Sequence, residues 1–173
     1  MNNMTLDEEI MNIKRRLKDH ENRLQELEKV FRISKGEEQE ICLSKTNKGI
    51  EKLAEKIGIT KEKIREVFDI EENILTVVKT VGENYKEKIK NISLFALLGY
   101  EYFFGRNKLF SQEIRRNVAE NGIPLDNFAS YLNEIIPSLI RRKGKIKSSK
   151  TTYRLTILGK SEARKLLKNL CEG

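Results

Sequence analysis

A dense run of lysine and arginine side chains lies between Leu139 and Leu170. It holds eleven basic residues against the single acid Glu162, a formal charge of +10 in a chain whose total is +8. The basic members are Arg141, Arg142, Lys143, Lys145, Lys147, Lys150, Arg154, Lys160, Arg164, Lys165 and Lys168. Clustered cations bind polyanions, because each one placed near a phosphate releases a condensed counterion. We therefore expect a nucleic acid to bind here, with a solvated basic surface as the alternative.

The charge surplus belongs to one half of the chain. Residues 1–90 carry 19 basic and 19 acidic side chains, whereas residues 91–173 carry 15 and 7. Charged residues make up 35% of the chain, above the roughly 25% usual for soluble proteins. The abundance of Lys, Glu and Ile with little Cys and Trp indicates a thermophilic source, although a low-GC genome gives a similar bias.

Residue types that perform covalent or metal chemistry are sparse. Cys42 and Cys171 are far apart, and the chain has one histidine. There is no glycine-rich phosphate loop, and Ser148 and Ser149 have no base nearby in the sequence. We expect no enzyme activity, no metal and no cofactor. The chain also lacks an apolar run of about 18 residues and a signal-peptide-like start, which predicts a cytoplasmic protein that does not enter a membrane. With DNA as its partner, we expect it to be nucleoid-associated.

An apolar heptad pattern occupies residues 1–33 and predicts a coiled-coil helix. Apolar residues and one histidine recur at alternating steps of four and three: Leu6, Ile10, Ile13, Leu17, His20, Leu24, Leu27 and Phe31. A helix with one such seam needs a partner. Packing against its own chain is the alternative to self-association.

The charges that flank this seam favour a parallel pair of helices. With Ile10 at position a, a parallel pairing brings together residues of opposite sign: Glu9 with Lys14, Arg16 with Glu21, and Arg23 with Glu28. An antiparallel pairing places Arg16 near Arg23 instead. The sequence therefore predicts a parallel homodimer, with a trimer left open because mixed Ile, Leu and Phe do not fix the strand number.

Residues 34–47 show no sustained apolar period and are predicted to be a linker, and residues 48–90 contain a helix-turn-helix-like segment. In that segment the spacing of small, apolar and turn residues resembles the helix-turn-helix family of DNA-binding proteins. The residues that carry the resemblance are Leu53, Ala54, Ile57, Gly58, Ile59, Ile64 and Val67. Gly58 suits the turn, and Thr60 is suited to begin the second helix.

Contact between this segment and DNA is a separate question from its shape. The resemblance places Lys61, Lys63 and Arg65 on a possible second DNA-contact helix, but acids such as Glu62 and Glu66 alternate with them. A protein partner is the alternative to DNA at this surface. The following stretch, from Ile74 to Val81, fits a short strand or a continued helix equally well.

Residues 91–173 show a regular series of predicted elements. An apolar helix ends at Gly105, and Ser111 caps a second helix that runs through Asn121. A third helix lies between Asp126 and Ile136, where Pro137 closes it. A strand from Leu139 to Lys143, a polar loop, a strand through Tyr153, Leu155 and Ile157 and a final helix with an apolar face follow.

This order, with the stretch Tyr-Arg-Leu-Thr-Ile-Leu-Gly ending at Gly159, resembles the winged-helix DNA-binding proteins of a kind common in archaea. The resemblance implies a mainly α fold with a small β-hairpin wing. It places Asn127, Ser130, Tyr131 and Asn133 before the bases, and Lys145, Lys147 and Lys150 on the wing. The resemblance makes the third helix, between Asp126 and Ile136, the reading helix that enters the major groove. This helix lacks Arg and Lys, so we expect phosphate contacts to supply most of the affinity for DNA. We expect those from Arg115, Arg116, Arg141, Arg142, Lys143, Arg154 and the wing.

The sequence thus predicts a coiled-coil homodimer that binds duplex DNA, either as a transcription regulator or as a chromatin-organising factor. A protein-protein interaction module with auxiliary nucleic-acid binding is the second interpretation. RNA in place of DNA stays open, because backbone charge attracts both.

Overall fold

The structure is a computed structural model that describes residues 6–71, 73–145, 148 and 150–173, without the side chains of residues 6–9 and 29–42. Two compact units divide the chain, Met1–Cys42 and Leu43–Gly173. The protein is mainly helical with small antiparallel sheets. The helices are α1 (Leu6–Ile57), α2 (Lys61–Arg65), α3 (Tyr85–Phe104), α4 (Ser111–Glu120), α5 (Phe128–Glu134) and α6 (Ile157–Glu172), and the strands are β1 (Phe68–Glu71), β2 (Ile74–Val77), β3 (Leu109–Phe110), β4 (Ile140–Lys143) and β5 (Thr152–Leu155).

Helix α1 continues through residues 34–47, the segment predicted to be a linker. The expectation rested on the missing apolar period, but a helix needs such a period only where it is packed. Glu, Lys and Leu are good helix formers without it, and Gly36 costs a helix interior only about 1 kcal/mol. The described side chains from Ile10 to Glu28 are all exposed. The apolar residues of α1 in this stretch are therefore exposed to solvent in the single chain.

Helix α3 is the centre of the second unit. It contacts α4, α5, α6, β2 and β5, and its middle is buried on every side from Ile92 to Tyr100. At its start the Asn84 side chain accepts a hydrogen bond from the Glu87 N–H at 2.9 Å, and at its end Gly105 takes a left-handed φ of 67°. The predicted apolar helix that ends at Gly105 is therefore confirmed.

The end of α1, α2 and the β1–β2 hairpin form the first helical pair of this unit, which we define as residues 43–77. Its helices enclose five of the residues that carry the resemblance to helix-turn-helix proteins: Leu53, Ala54, Ile57, Ile64 and Val67 are all buried. The strand alternative is the correct one for Ile74–Val77, which pairs antiparallel with Phe68–Glu71. Thr60 occupies the N-cap position of α2, but its side chain makes no capping hydrogen bond.

Helices α4 and α5 with strands β4 and β5 form the second helical pair, which we define as residues 111–155. Strand β5 lies between β3 and β4 in an antiparallel three-stranded sheet. Helix α5 is shorter than expected, because Ile135–Leu139 form a turn that contains the cis Ile136–Pro137 bond. Ser111, expected to cap α4, is its first residue. Phe110 holds the cap position, and its N–H donates to Glu113 Oε2 at 2.8 Å.

The predicted strand through Ile157 is wrong beyond Leu155. Thr156 begins α6, since its hydroxyl accepts a hydrogen bond from the Gly159 N–H at 2.9 Å, and Ile157 is 91% exposed. Gly159 permits this arrangement, because a Cβ there would lie only 1.9 Å from the Leu139 carbonyl oxygen. Ala163 and Leu167 are buried while Leu166 and Leu170 are partly buried, as expected for one apolar face.

Within the described part of the chain, no helix combines the length and the apolar character that crossing a membrane requires.

Candidate nucleic-acid interface

The outward face of the three-stranded sheet is rich in basic side chains. Arg141 of β4 pairs directly with Arg154 of β5, and Lys143 pairs with Thr152. Their neighbours Ile140 and Leu155 face the core, because successive side chains of a strand point to opposite sides. The alternation of side chains along β4 and β5 therefore places Ile140 and Leu155 toward the core, and Arg141, Lys143 and Arg154 on the outward face.

Several predicted contact residues are exposed and carry no internal counter-charge. Arg141, Lys143, Lys145, Lys150 and Arg154 are exposed, and none forms an ion pair with a described carboxylate. Gly144 opens the loop after β4 at a φ of 112°, and the Thr151 hydroxyl donates to the Lys145 carbonyl. Lys147 lies outside the described residues. These five cations remain available to an external anion.

Three other predicted phosphate contacts are bonded within the protein. The Arg115 guanidinium lies 4.5 Å from the centroid of the Phe128 ring. Arg116 donates to the Tyr100 hydroxyl at 3.1 Å and lies 3.7 Å from a carboxylate oxygen of Glu120. These two arginines and the third, Arg142, are only partly exposed. Their geometry suits a packing role better than a free phosphate contact.

The structure joins Arg142 to the predicted reading helix. Arg142 donates to Asn133 Oδ1 at 2.7 Å, which ties β4 to α5. The adenine contact expected of an asparagine needs that oxygen as an acceptor, so the bond to Arg142 competes with base recognition. Asn127 and Ser130 are exposed and make no side-chain hydrogen bond with a described residue, and Tyr131 is partly buried.

The acid of the reading helix is neutralised. Glu134 Oε2 lies 2.6 Å from Lys86 Nζ, and this hydrogen bond raises the pKa of Lys86. The helix therefore presents no positive side chain and little negative charge. Its outer surface is nearly neutral, in contrast with the neighbouring sheet.

The candidate cations of α2 are all bonded to other parts of the second unit. Lys61 contacts Glu51 at 2.8 Å, and this hydrogen bond lowers the pKa of Glu51. Lys63 donates to the Cys171 carbonyl oxygen at 2.6 Å, a favourable place for a cation because that oxygen lies at the C-terminus of α6. Arg65 donates to Asn47 Oδ1 at 3.0 Å. A DNA contact by α2 would have to break or share these bonds.

Sequence reasoning missed Lys108 and Phe110. Lys108 precedes β3 and lines a concavity of about 300 Å³ together with Arg141, Lys143 and Arg154. Phe110 is 46% exposed and pairs with Thr152, so it lies on the same face of the sheet. A strand of two residues has no period to detect. Only its pairing with β5 reveals that these residues belong to the basic face.

The predicted dimerisation residues lie along α1 with their apolar side chains exposed. Ile10, Ile13, Leu17, Leu24 and Leu27 range from 42% to 66% exposed, and His20 is exposed as well. The side chains of Leu6 and Phe31 lie outside the described residues. A row of exposed apolar residues on one helix is unfavourable in water.

Residues that could hold a metal do not cluster in the described part of the chain, where no group of three or more His, Cys, Asp or Glu comes together. Cys171 is a buried free thiol, and burial raises its pKa. A raised pKa keeps the thiol protonated and unreactive at neutral pH.

No known protein family matches this chain, and no match was found among curated protein sequences or among solved structures.

Proposed function

We propose that this protein binds duplex DNA through the basic sheet face and loop of its second unit, and that it dimerises through α1. The observation that carries the proposal is the set of exposed cations without carboxylate partners on β4, β5 and the loop between them: Arg141, Lys143, Lys145, Lys150 and Arg154. A merely solvated surface normally intersperses acids among its bases. Phosphates of a nucleic-acid backbone supply the missing counter-charge.

The order of elements supports a winged-helix arrangement. Helix α3, strand β3, helices α4 and α5, and then β4, a basic loop and β5 follow one another along the chain, and β5 lies between β3 and β4. Apart from β3, this is the order of elements predicted from the resemblance to winged-helix proteins. In that arrangement α5 is the helix nearest the major groove, and the loop from Gly144 to Thr151 is the wing.

Phosphate contacts dominate binding in this proposal, and base recognition is weak. Helix α5 has no Arg or Lys, and Asn133 is bonded to Arg142. Asn127 and Ser130 are then the exposed polar side chains available for base edges. Such a protein discriminates little between sequences, which favours a chromatin-organising factor of the nucleoid over a regulator of a single operator.

Dimerisation is proposed because α1 has an exposed apolar seam with complementary flanking charges. In a parallel pair the seam of one copy is covered by the other, and the residues at positions g and e meet with opposite sign. Two basic domains held by one coiled coil engage one duplex or bridge two duplexes. The effective concentration of the second domain raises the overall affinity.

The alternative function, a protein-protein interaction module, is favoured by the first helical pair. The three cations of α2 are bonded internally, and the hairpin presents the exposed acids Asp69 and Glu71. A surface of this kind repels DNA. It suits packing or a basic protein partner.

Competition binding on the full chain tests the proposal. A labelled random duplex of DNA is displaced by unlabelled duplex DNA, duplex RNA and single strands, each at several salt concentrations. The proposal predicts that random and genomic DNA duplexes compete about equally and better than the other nucleic acids. Preferential displacement by RNA, or an absence of nucleic-acid binding together with a protein partner captured at high salt, would reject it.

A further inference from the structure

Three cations, Lys108, Arg154 and Arg141, form a row across the three-stranded sheet. The row does not include α5, the helix expected to contact the bases. Arg141 and Arg154 are cross-strand partners. Leu109 pairs with Tyr153, so Lys108, one residue before Leu109, lies beside Arg154 at the same level of the sheet. Strands are about 4.8 Å apart. The row therefore places three positive charges across roughly 10 Å of exposed surface.

Like charges directly opposite on neighbouring strands destabilise a sheet. Lys108, Arg141 and Arg154 are exposed, and no described carboxylate forms an ion pair with any of them. Some cations elsewhere in the unit are paired with acids, as are Arg106 with Glu113 and Lys160 with Glu101, and no other unpaired cations of the described residues are direct cross-strand neighbours. An unmatched row that costs stability is explained by an anion that occupies it.

The row surrounds a shaped depression. The concavity of about 300 Å³ is lined by Lys108, Arg141, Lys143, Thr152 and Arg154, with Arg142 and Tyr153 completing the lining and no acid among the lining residues. Its volume is at the lower limit of small-molecule pockets and suits a phosphodiester group with its sugar. Arginine recognises phosphate oxygens through two parallel N–H donors, while lysine contributes a point charge.

Helix α5 cannot supply an equivalent attraction. Phe128 and Leu132 are buried in the core, Asn133 accepts from Arg142, and Glu134 is paired with Lys86. The arrangement makes α5 a support for β4 through the bond between Asn133 and Arg142. The charge lies on the sheet.

We propose that the outward face of the β3–β5–β4 sheet is a phosphodiester-binding site in which Lys108, Arg141 and Arg154 hold the DNA backbone, so that the sheet and not α5 is the primary contact. This inference rests on the proposed DNA-binding function and adds Lys108 to its contact residues. It also assigns to the sheet a role that does not depend on base sequence.

The test compares two variants of the full chain that lose the same charge. The sheet variant is Lys108→Gln, Arg141→Gln, Arg154→Gln. The control is Lys45→Gln, Lys52→Gln, Lys165→Gln, whose three lysines are exposed and outside the sheet. Affinity for a random DNA duplex is measured at several salt concentrations. Each phosphate contact contributes about 0.9 to the slope of log affinity against log salt, so the sheet variant should lose about 2 to 3 units of slope while the control keeps the wild-type slope.

Equal weakening of the two variants would overturn the sheet site and leave the DNA-binding function intact, because it would show that only the overall field matters. A wild-type chain that does not bind duplex DNA would instead reject the function itself. Thermal unfolding separates loss of contact from loss of fold. The substitutions relieve like-charge repulsion, so the sheet variant should melt at the wild-type temperature or above it. A lower melting temperature would contradict the claim that the three cations destabilise the sheet.

Discussion

The first and second helical pairs of the second unit have the same order of two helices and two antiparallel strands, but they treat their charges differently. In the first pair, Lys61, Lys63 and Arg65 are bonded to other groups of the protein, and the hairpin carries exposed acids. In the second pair, Arg141 and Arg154 face outward without acids. Similar local order therefore serves packing in one place and presents charge in the other.

The difference shows why the count of basic residues is a poor guide to a binding surface. The two pairs are linked through the core: β2 of the first contacts α4 of the second. What distinguishes them is the residue types at the exposed positions of the strands and the bonding partners of each cation. Four sets of substitutions test the link between the two pairs, their difference in charge and the cap that follows the second pair, in order of decreasing expected effect.

Asn117→Ala should cause the largest loss, because this residue joins the two pairs. Its buried amide accepts from the Val77 N–H at 2.8 Å and donates to the Leu75 carbonyl at 3.1 Å. Leaving two buried backbone groups unsatisfied costs about 2–4 kcal/mol. Urea unfolding measures the change, with the exposed Asn127→Ala as control. A loss no greater than that of the control would show that the pairs are not coupled through this side chain.

Paired triple substitutions should separate binding from stability. Lys145→Ala, Lys147→Ala, Lys150→Ala should weaken binding to all duplexes similarly and reduce the salt slope by up to about 3. Lys61→Gln, Lys63→Gln, Arg65→Gln should leave that slope unchanged and lower the melting temperature, because the bond to the Cys171 carbonyl is lost. Gel shifts and thermal melts measure the two effects. An equal reduction of the salt slope by both sets would show that the two helical pairs do not differ in DNA binding. Weaker binding to one DNA sequence only would show that the loop contacts bases.

Thr156→Ala should destabilise α6 by about 1 kcal/mol, the usual cost of losing an N-cap. The Thr156 hydroxyl accepts from the Gly159 N–H and donates to the Ser138 carbonyl at 2.7 Å. Thr156→Ser keeps both bonds and is the matched control. Guanidinium unfolding compares them, and equal stability of the two variants would show that the cap contributes nothing.

Glu51→Gln should have the smallest effect, and one that depends on pH. Lys61 holds the pKa of Glu51 below its ordinary value of 4.5. The carboxylate therefore contributes its stability above that value and loses it as the pH falls through the lower, folded-state pKa. The difference in urea midpoint between wild type and variant should narrow between pH 7 and pH 3. A difference that stays constant over this range would exclude the ion pair as its source.

Much of the second unit follows from its sequence, because its signals are strong and local. The apolar stretch of α3 is long enough to fix a buried helix, and Gly105 can adopt the left-handed conformation that ends it. The core of the first helical pair was likewise readable, since Leu53, Ile57 and Ile64 are spaced for two short helices. Such features depend only on neighbours in the sequence.

The features that sequence reasoning missed depend on tertiary contacts. Ile157 continues the alternation of β5, yet the chain enters α6 at Thr156, whose hydroxyl accepts from the Gly159 N–H and donates to the Ser138 carbonyl. Lys108 joins the basic face only because a two-residue strand pairs with β5. The contact of Asn133 with Arg142 and that of Lys63 with Cys171 arise from packing. No local sequence pattern indicates which basic side chains are hydrogen-bonded to other residues of the protein.

The salt dependence of duplex DNA binding by the full, unsubstituted chain tests the central claim most directly. With about five phosphates neutralised per subunit, log affinity should fall against log salt with a slope of about −4 to −5 for each subunit engaged. An affinity that stays level as salt rises would contradict the account, because cations without protein partners would then not be holding phosphates.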